Sequence, residues 1–73
     1  MNGISIRTED IQLDQFLKLA GVLTSGGAIK ELLQERRIKR NGETETARRR
    51  KLRPGDVIEV EGAGTWKVLR GEA

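Results

Sequence analysis

The 73-residue chain contains no cysteine, no histidine and no tyrosine. Without cysteine there is no disulfide, no thiolate nucleophile and no cysteine-ligated zinc. Without histidine, the commonest general base and metal ligand is missing. One Phe, one Trp and one Met leave little to stack on bases, so single-strand recognition through aromatic platforms is disfavoured. No apolar run approaches the ~20 residues that span a bilayer. Met1-Asn2-Gly3-Ile4-Ser5-Ile6 lacks the charged and apolar blocks of a signal peptide. A cytoplasmic protein without membrane contact is therefore expected. Chains of about 60 residues bury only ~60% of the surface they expose when unfolded. One compact domain over residues 1–73 is expected, with no room for a catalytic cleft between domains.

What the chain does have is unevenly placed charge. Fourteen basic and 11 acidic residues give a net +3. Residues 36–53 hold nine of the basic side chains against Glu43 and Glu45, a net +7. The other 55 residues carry five basic and nine acidic side chains, a net −4. A basic stripe on an acidic body is the electrostatic footprint of a phosphate-backbone binder. On charge alone a solvated face or a basic loop remains an equal reading.

Periodicity gives the elements. Ile4-Ser5-Ile6-Arg7 alternates as a short strand. Leu13, Phe16, Leu17 and Ala20 put one apolar face on a helix over 12–20, with Gly21 as its stop. Ser25 is a candidate N-cap for a second helix with Ile29, Leu32 and Leu33 inward, ending near Glu35 or Arg36. Arg37–Arg40 and Glu43–Thr46 flank Asn41-Gly42, the strongest short hairpin signal. Ala47–Lys51 reads as a basic connection, and Pro54-Gly55 as a type II turn. Asp56–Glu61 alternates with Ile58 and Val60 inward, and Thr65–Leu69 is a last strand with Trp66 and Val68 on one face. The fold class is α+β: a strand, two helices, then three or four strands.

Enzyme chemistry finds little support. Asp10, Asp14, Glu31, Glu35, Asp56 and Glu59 lie on helix surfaces and strand exteriors, and Ser25 has no histidine to activate it. No catalytic residue, metal ligand, cofactor or small-molecule substrate is expected. Gly26-Gly27 after Ser25 has two open readings: close approach of a phosphate to first-turn N–H groups, or close packing of that turn. In the hairpin, Ile38 and Arg40 share one face while Arg37, Lys39 and Asn41 share the other. An inward Arg40 is expected to snorkel out near the turn. Arg48-Arg49-Arg50-Lys51 cannot all point one way in a strand, so a loop fanning them across one surface fits better. Trp66 reads as core rather than as a stacking platform. Shape and phosphate recognition of folded RNA is what these residues support.

The order Leu13-Asp14, Phe16-Leu17, Gly21, Ser25, Ile29 with Leu32-Leu33, Ile38-Lys39-Arg40-Asn41-Gly42 and Lys51-Leu52-Arg53-Pro54-Gly55-Asp56-Val57-Ile58 closely resembles the ribosomal S-four-like RNA-binding domain, over residues 11–61. Within that superfamily the chain looks most like the small, free-standing bacterial proteins of the YaaA/YbcJ type. Phe16-Leu17-Lys18-Leu19, Ser25-Gly26-Gly27 with Lys30, and Asn41-Gly42-Glu43-Thr44-Glu45-Thr46 carry that closer match. The resemblance implies a two-helix (alpha-L) motif on a small, bent, mainly antiparallel sheet of three to five strands. It also implies structured RNA lying across the helices and hairpin, with ribosomal RNA or an assembling ribosomal particle as partner. Phosphate contacts are expected from Lys30, Lys39, Arg48, Arg49, Arg50 and Lys51. The start of helix two, at Ser25, Gly26 and Gly27, and the flanking Arg37, Arg40, Asn41 and Arg53 complete the expected surface. The sequence departs from the family where Arg36 replaces the usual glycine after helix two and Arg40 an apolar strand residue. A monomer is expected. Two alternatives stand beside this reading: a double-stranded DNA binder, and an adapter whose basic face docks on an acidic protein.

Overall fold

A computed structural model describes residues 2–23 and 28–71. The Ser25 N-cap and the Gly26-Gly27 readings therefore lie outside the described residues. In chain order the elements are β1 (Asn2–Ile6), β2 (Ile11–Gln12), α1 (Leu13–Leu19), α2 (Ala28–Gln34), β3 (Ile38–Arg40), β4 (Glu43–Thr44), β5 (Lys51–Leu52), β6 (Val57–Val60) and β7 (Gly64–Arg70). Five strands form a mixed sheet in the order β1-β7-β6-β3-β4, and β2 and β5 form a separate antiparallel pair. Only β1 runs parallel to its neighbour, pairing Ile4 with Val68 on β7. The architecture is α+β, as expected, with one parallel strand added to an otherwise antiparallel sheet.

The apolar positions meet in one core. Leu13, Phe16 and Leu17 from α1, Ile29 from α2 and Leu52 from β5 pack with Ile38, Ile58, Val60, Trp66 and Val68 of the sheet. Trp66 is 7% exposed, a core side chain. Each helix has seven described residues, and helices this short gain most of their stability from such packing.

Turn chemistry sets the connections. Asn41 (φ 52°) and Gly42 (φ 87°) both adopt the left-handed conformation that a two-residue hairpin loop demands. Both helices end in the same motif. At α1 the Gly21 N–H donates to the Lys18 carbonyl and the Val22 N–H to that of Leu17. At α2 the Arg36 N–H donates to Leu33 and the Arg37 N–H to Leu32. This is the paired bonding of a Schellman cap. Arg36 occupies the left-handed position at φ 56° where a glycine would sit without penalty.

Three expectations need correction. The strand after the hairpin turn is only Glu43–Thr44; past Glu45 the N–H groups of Thr46 and Ala47 turn to the Glu45 carboxylate instead of continuing the ladder. The basic connection is not wholly a loop: Lys51 and Leu52 pair with Gln12 and Ile11. The dipeptide Ile11-Gln12 is too short to show any strand period, and Gln12 falls at the start of the helix expected over 12–20. Arg40 does not escape fully to solvent at the turn. Its Nε–H is held by Glu45, which the alternation of the hairpin places on the same face, so the side chain reaches solvent only in part, 31% exposed.

Candidate nucleic-acid interface

The basic segment is anchored at its middle by a buried carboxylate. Glu45 is 3% exposed. The Nε–H groups of Arg40 and Arg50 both donate to its Oε1, at 3.0 and 2.8 Å. The backbone N–H groups of Thr46 and Ala47 donate to Oε2, at 3.0 and 2.9 Å. Burial opposes ionisation of this carboxyl. The Ala47 N–H and the Arg50 and Arg40 guanidinium groups outweigh it and hold the group below the ordinary carboxylate range. The cluster ties the hairpin to the loop that follows and carries a net +1.

That loop is also docked on the start of α1. Gln12 occupies the N-cap without a side-chain cap bond, which leaves first-turn N–H groups in need of acceptors. The Arg50 carbonyl accepts from the Leu13 N–H at 2.9 Å, and the Arg48 carbonyl from the Asp14 N–H at 3.3 Å. The Arg48 Nε lies 3.7 Å from Asp14 Oδ2. Backbone bonds, a side-chain pair and the β2–β5 ladder thus hold residues 47–52 in place.

The fold places the expected site residues differently. Arg40 and Arg50 are brought together on Glu45 and Arg48 pairs with Asp14, with the three arginine side chains 31%, 45% and 50% exposed. Arg37 and Asn41 serve the fold. The Arg37 Nη2 donates to the Glu61 carbonyl at 2.8 Å, and its Nη1 lies 3.4 Å from Glu35. The Asn41 amide donates to Asp56 Oδ1 and accepts from the Val57 N–H, which binds the turn to β6. Lys30, Arg49, Lys51 and Arg53 are exposed, and among the described residues none makes an ion pair. Lys39 is exposed too, but it stands on the other face of β3 from Arg40, opposite Thr44 and Glu59. Ser25, Gly26 and Gly27 lie outside the described residues.

Glu45 is the residue that sequence reasoning missed. Its signal was present: a two-residue turn at Asn41-Gly42 sets residue 45 opposite Ile38, and the Glu45 N–H does bond the Ile38 carbonyl at 2.8 Å. If Ile38 points inward, so does a carboxylate at 45, and it must find a cation. Arg40 follows from that logic, whereas Arg50 does not, because only the folded loop returns it.

Elsewhere, Glu9, Asp10, Arg53, Pro54 and Arg70 line an open cleft of about 420 Å³. It mixes charges of both signs and shares only Arg53 with the expected set. Among the described residues no group of three or more acidic side chains is arranged to hold a metal ion, and no helix is long and apolar enough to cross a membrane.

Comparison of the sequence with known proteins gives a family match. Residues 4–69 match the S4 domain. The chain is also 52% identical over 68 residues to the probable ribosome maturation protein RlbA of Bacillus subtilis strain 168, covering 93% of this chain and 96% of that protein. With nearly its whole length matched, and with the paired helices, Asn-Gly hairpin and sheet in place, this chain belongs to the S4 domain family.

Proposed function

We propose that this protein is a non-catalytic RNA-binding module that recognises structured RNA, with ribosomal RNA or an assembling ribosomal particle as its partner. The observation that carries the reading is the state of the basic segment. All nine cations of residues 36–53 are exposed or half-buried, and Arg40, Arg48 and Arg50 are held on one fixed hairpin-and-loop unit. Fixed cations favour a fixed array of phosphates, because less side-chain freedom is lost on binding. S4 domain membership and the likeness to a probable ribosome maturation protein of Bacillus subtilis support the ribosomal partner.

The test is a titration of the protein with a hairpin RNA and with duplex DNA of equal length, across a series of salt concentrations. The RNA is expected to bind more tightly, with affinity falling as salt rises. Arg50 is a poor choice for mutation here, since its loss also strips a partner from buried Glu45. Arg49→Ala with Lys51→Ala removes two cations that make no ion pair among the described residues. The double variant is expected to keep its thermal transition and to flatten the log–log salt slope by ~1.5, at about 0.7 to 0.9 per lost phosphate contact. Equal affinity for duplex DNA, or an unchanged slope, would count against the proposal.

A further inference from the structure

We infer that Arg40 and Arg50 form a single two-guanidinium seat for one RNA backbone phosphate, and that the acidic residue Glu45 is what builds it. The inference rests on the RNA-binding reading above and deepens it. Two guanidinium groups repel one another, and neither long side chain has a reason of its own to converge. Here both converge on one atom, Glu45 Oε1, through their Nε–H groups. The other oxygen, Oε2, is already committed to the Thr46 and Ala47 N–H groups. The carboxylate therefore cannot swing away, and the two arginines are fixed relative to each other.

A guanidinium has five N–H donors, and Nε supplies only one of them. Among the described residues no acceptor is bonded to the Nη groups of Arg40 or Arg50. Those groups belong to side chains that are 31% and 45% exposed. Paired planar forks with free Nη donors suit a phosphodiester, whose two non-bridging oxygens accept charge-assisted bonds. Lysine suits this role less well, because the two N–H groups left after one bonds to Glu45 diverge from a single nitrogen and cannot form a planar two-point fork. Glu45 itself need not touch RNA; it is a positioning residue.

The inference makes a prediction opposite in sign to simple charge counting. Removing a carboxylate from a polyanion binder should tighten binding. Glu43 lies on the same hairpin, is exposed and makes no ion pair among the described residues. Glu43→Gln and Glu45→Gln remove the same charge. Hairpin RNA affinity is measured by fluorescence anisotropy for the full chain and both variants, with thermal unfolding followed in parallel.

Glu43→Gln is expected to bind slightly more tightly than wild type, and Glu45→Gln to bind about tenfold more weakly. A folded Glu45→Gln protein that binds as well as Glu43→Gln overturns the inference. Arg40→Lys, Arg50→Lys and the double variant, which keep a cation beside Glu45 but remove the planar fork, are measured in the same series, which keeps the test decisive should Glu45→Gln fail to fold. A shared seat makes each single loss nearly as large as the double loss. Independent contacts, whose fold-losses multiply, would equally overturn it. Wild-type protein that fails to bind the RNA overturns the RNA reading itself, a result distinct from either variant pattern.

Discussion

Arg36 shows how one side chain can sit in a conformation that its type disfavours. At φ 56° it closes the Schellman cap of α2, where a left-handed non-glycine residue costs roughly 1–2 kcal/mol. Arg36→Gly removes that strain but loosens the unfolded chain, so a net gain of about 0.5–1 kcal/mol is expected in urea unfolding. Glu45 is the other residue whose surroundings dominate. Its carboxyl is held below its ordinary value in the folded state by the Ala47 N–H and by Arg50 and Arg40, against the opposing effect of burial. A depressed folded value means that the ionised group stabilises the fold fully above its unfolded value, near 4.5. That stabilisation is lost as pH falls through the lower folded value. Wild-type stability should therefore decline below about pH 4.5 more steeply than that of Glu45→Gln, as acid titration of the unfolding midpoint would measure.

At the scale of elements, α1 does more than cover the sheet. Its first-turn N–H groups take the carbonyls of Arg48 and Arg50 as caps, and Asp14 faces Arg48. The basic loop thus depends on a seven-residue helix whose own stability comes from Leu13, Phe16 and Leu17 in the core. Phe16→Ala should cost ~3–5 kcal/mol. RNA affinity should fall with it, although no cation is changed, and a joint measurement of melting temperature and binding would check both. The amphipathic spacing of this helix was legible in the sequence, as was the Asn41-Gly42 turn, because both are local. The β2–β5 ladder was not, since two residues carry no period and their partners lie some 40 positions apart.

Across the whole molecule, the small net charge hides a division between segment and body. Lys67 lies on β7, across from Val57 on β6, and is exposed. Lys67→Ala makes the same change in net charge as Arg49→Ala. If RNA responds to the basic segment rather than to net charge, Lys67→Ala should leave the salt slope within ~0.2 of wild type, well short of the 0.7 to 0.9 of one lost contact. Parallel titrations of the two single variants would read this directly. Not every cation in the segment is available for such binding: Arg37 is committed to the Glu61 carbonyl and Glu35.

By itself the sequence determined the α+β class, the core faces of both helices, the hairpin turn and the +7 segment. Each of these depends on near neighbours, through side-chain period, backbone preference or charge density. Only the tertiary structure decided which arginines stand together. Glu45 meets Arg50 because the loop folds back onto α1, whereas the parting of Lys39 from Arg40 was already legible in the strand alternation. Charge can be counted along a chain, but its direction is set by contacts between residues that the sequence keeps apart.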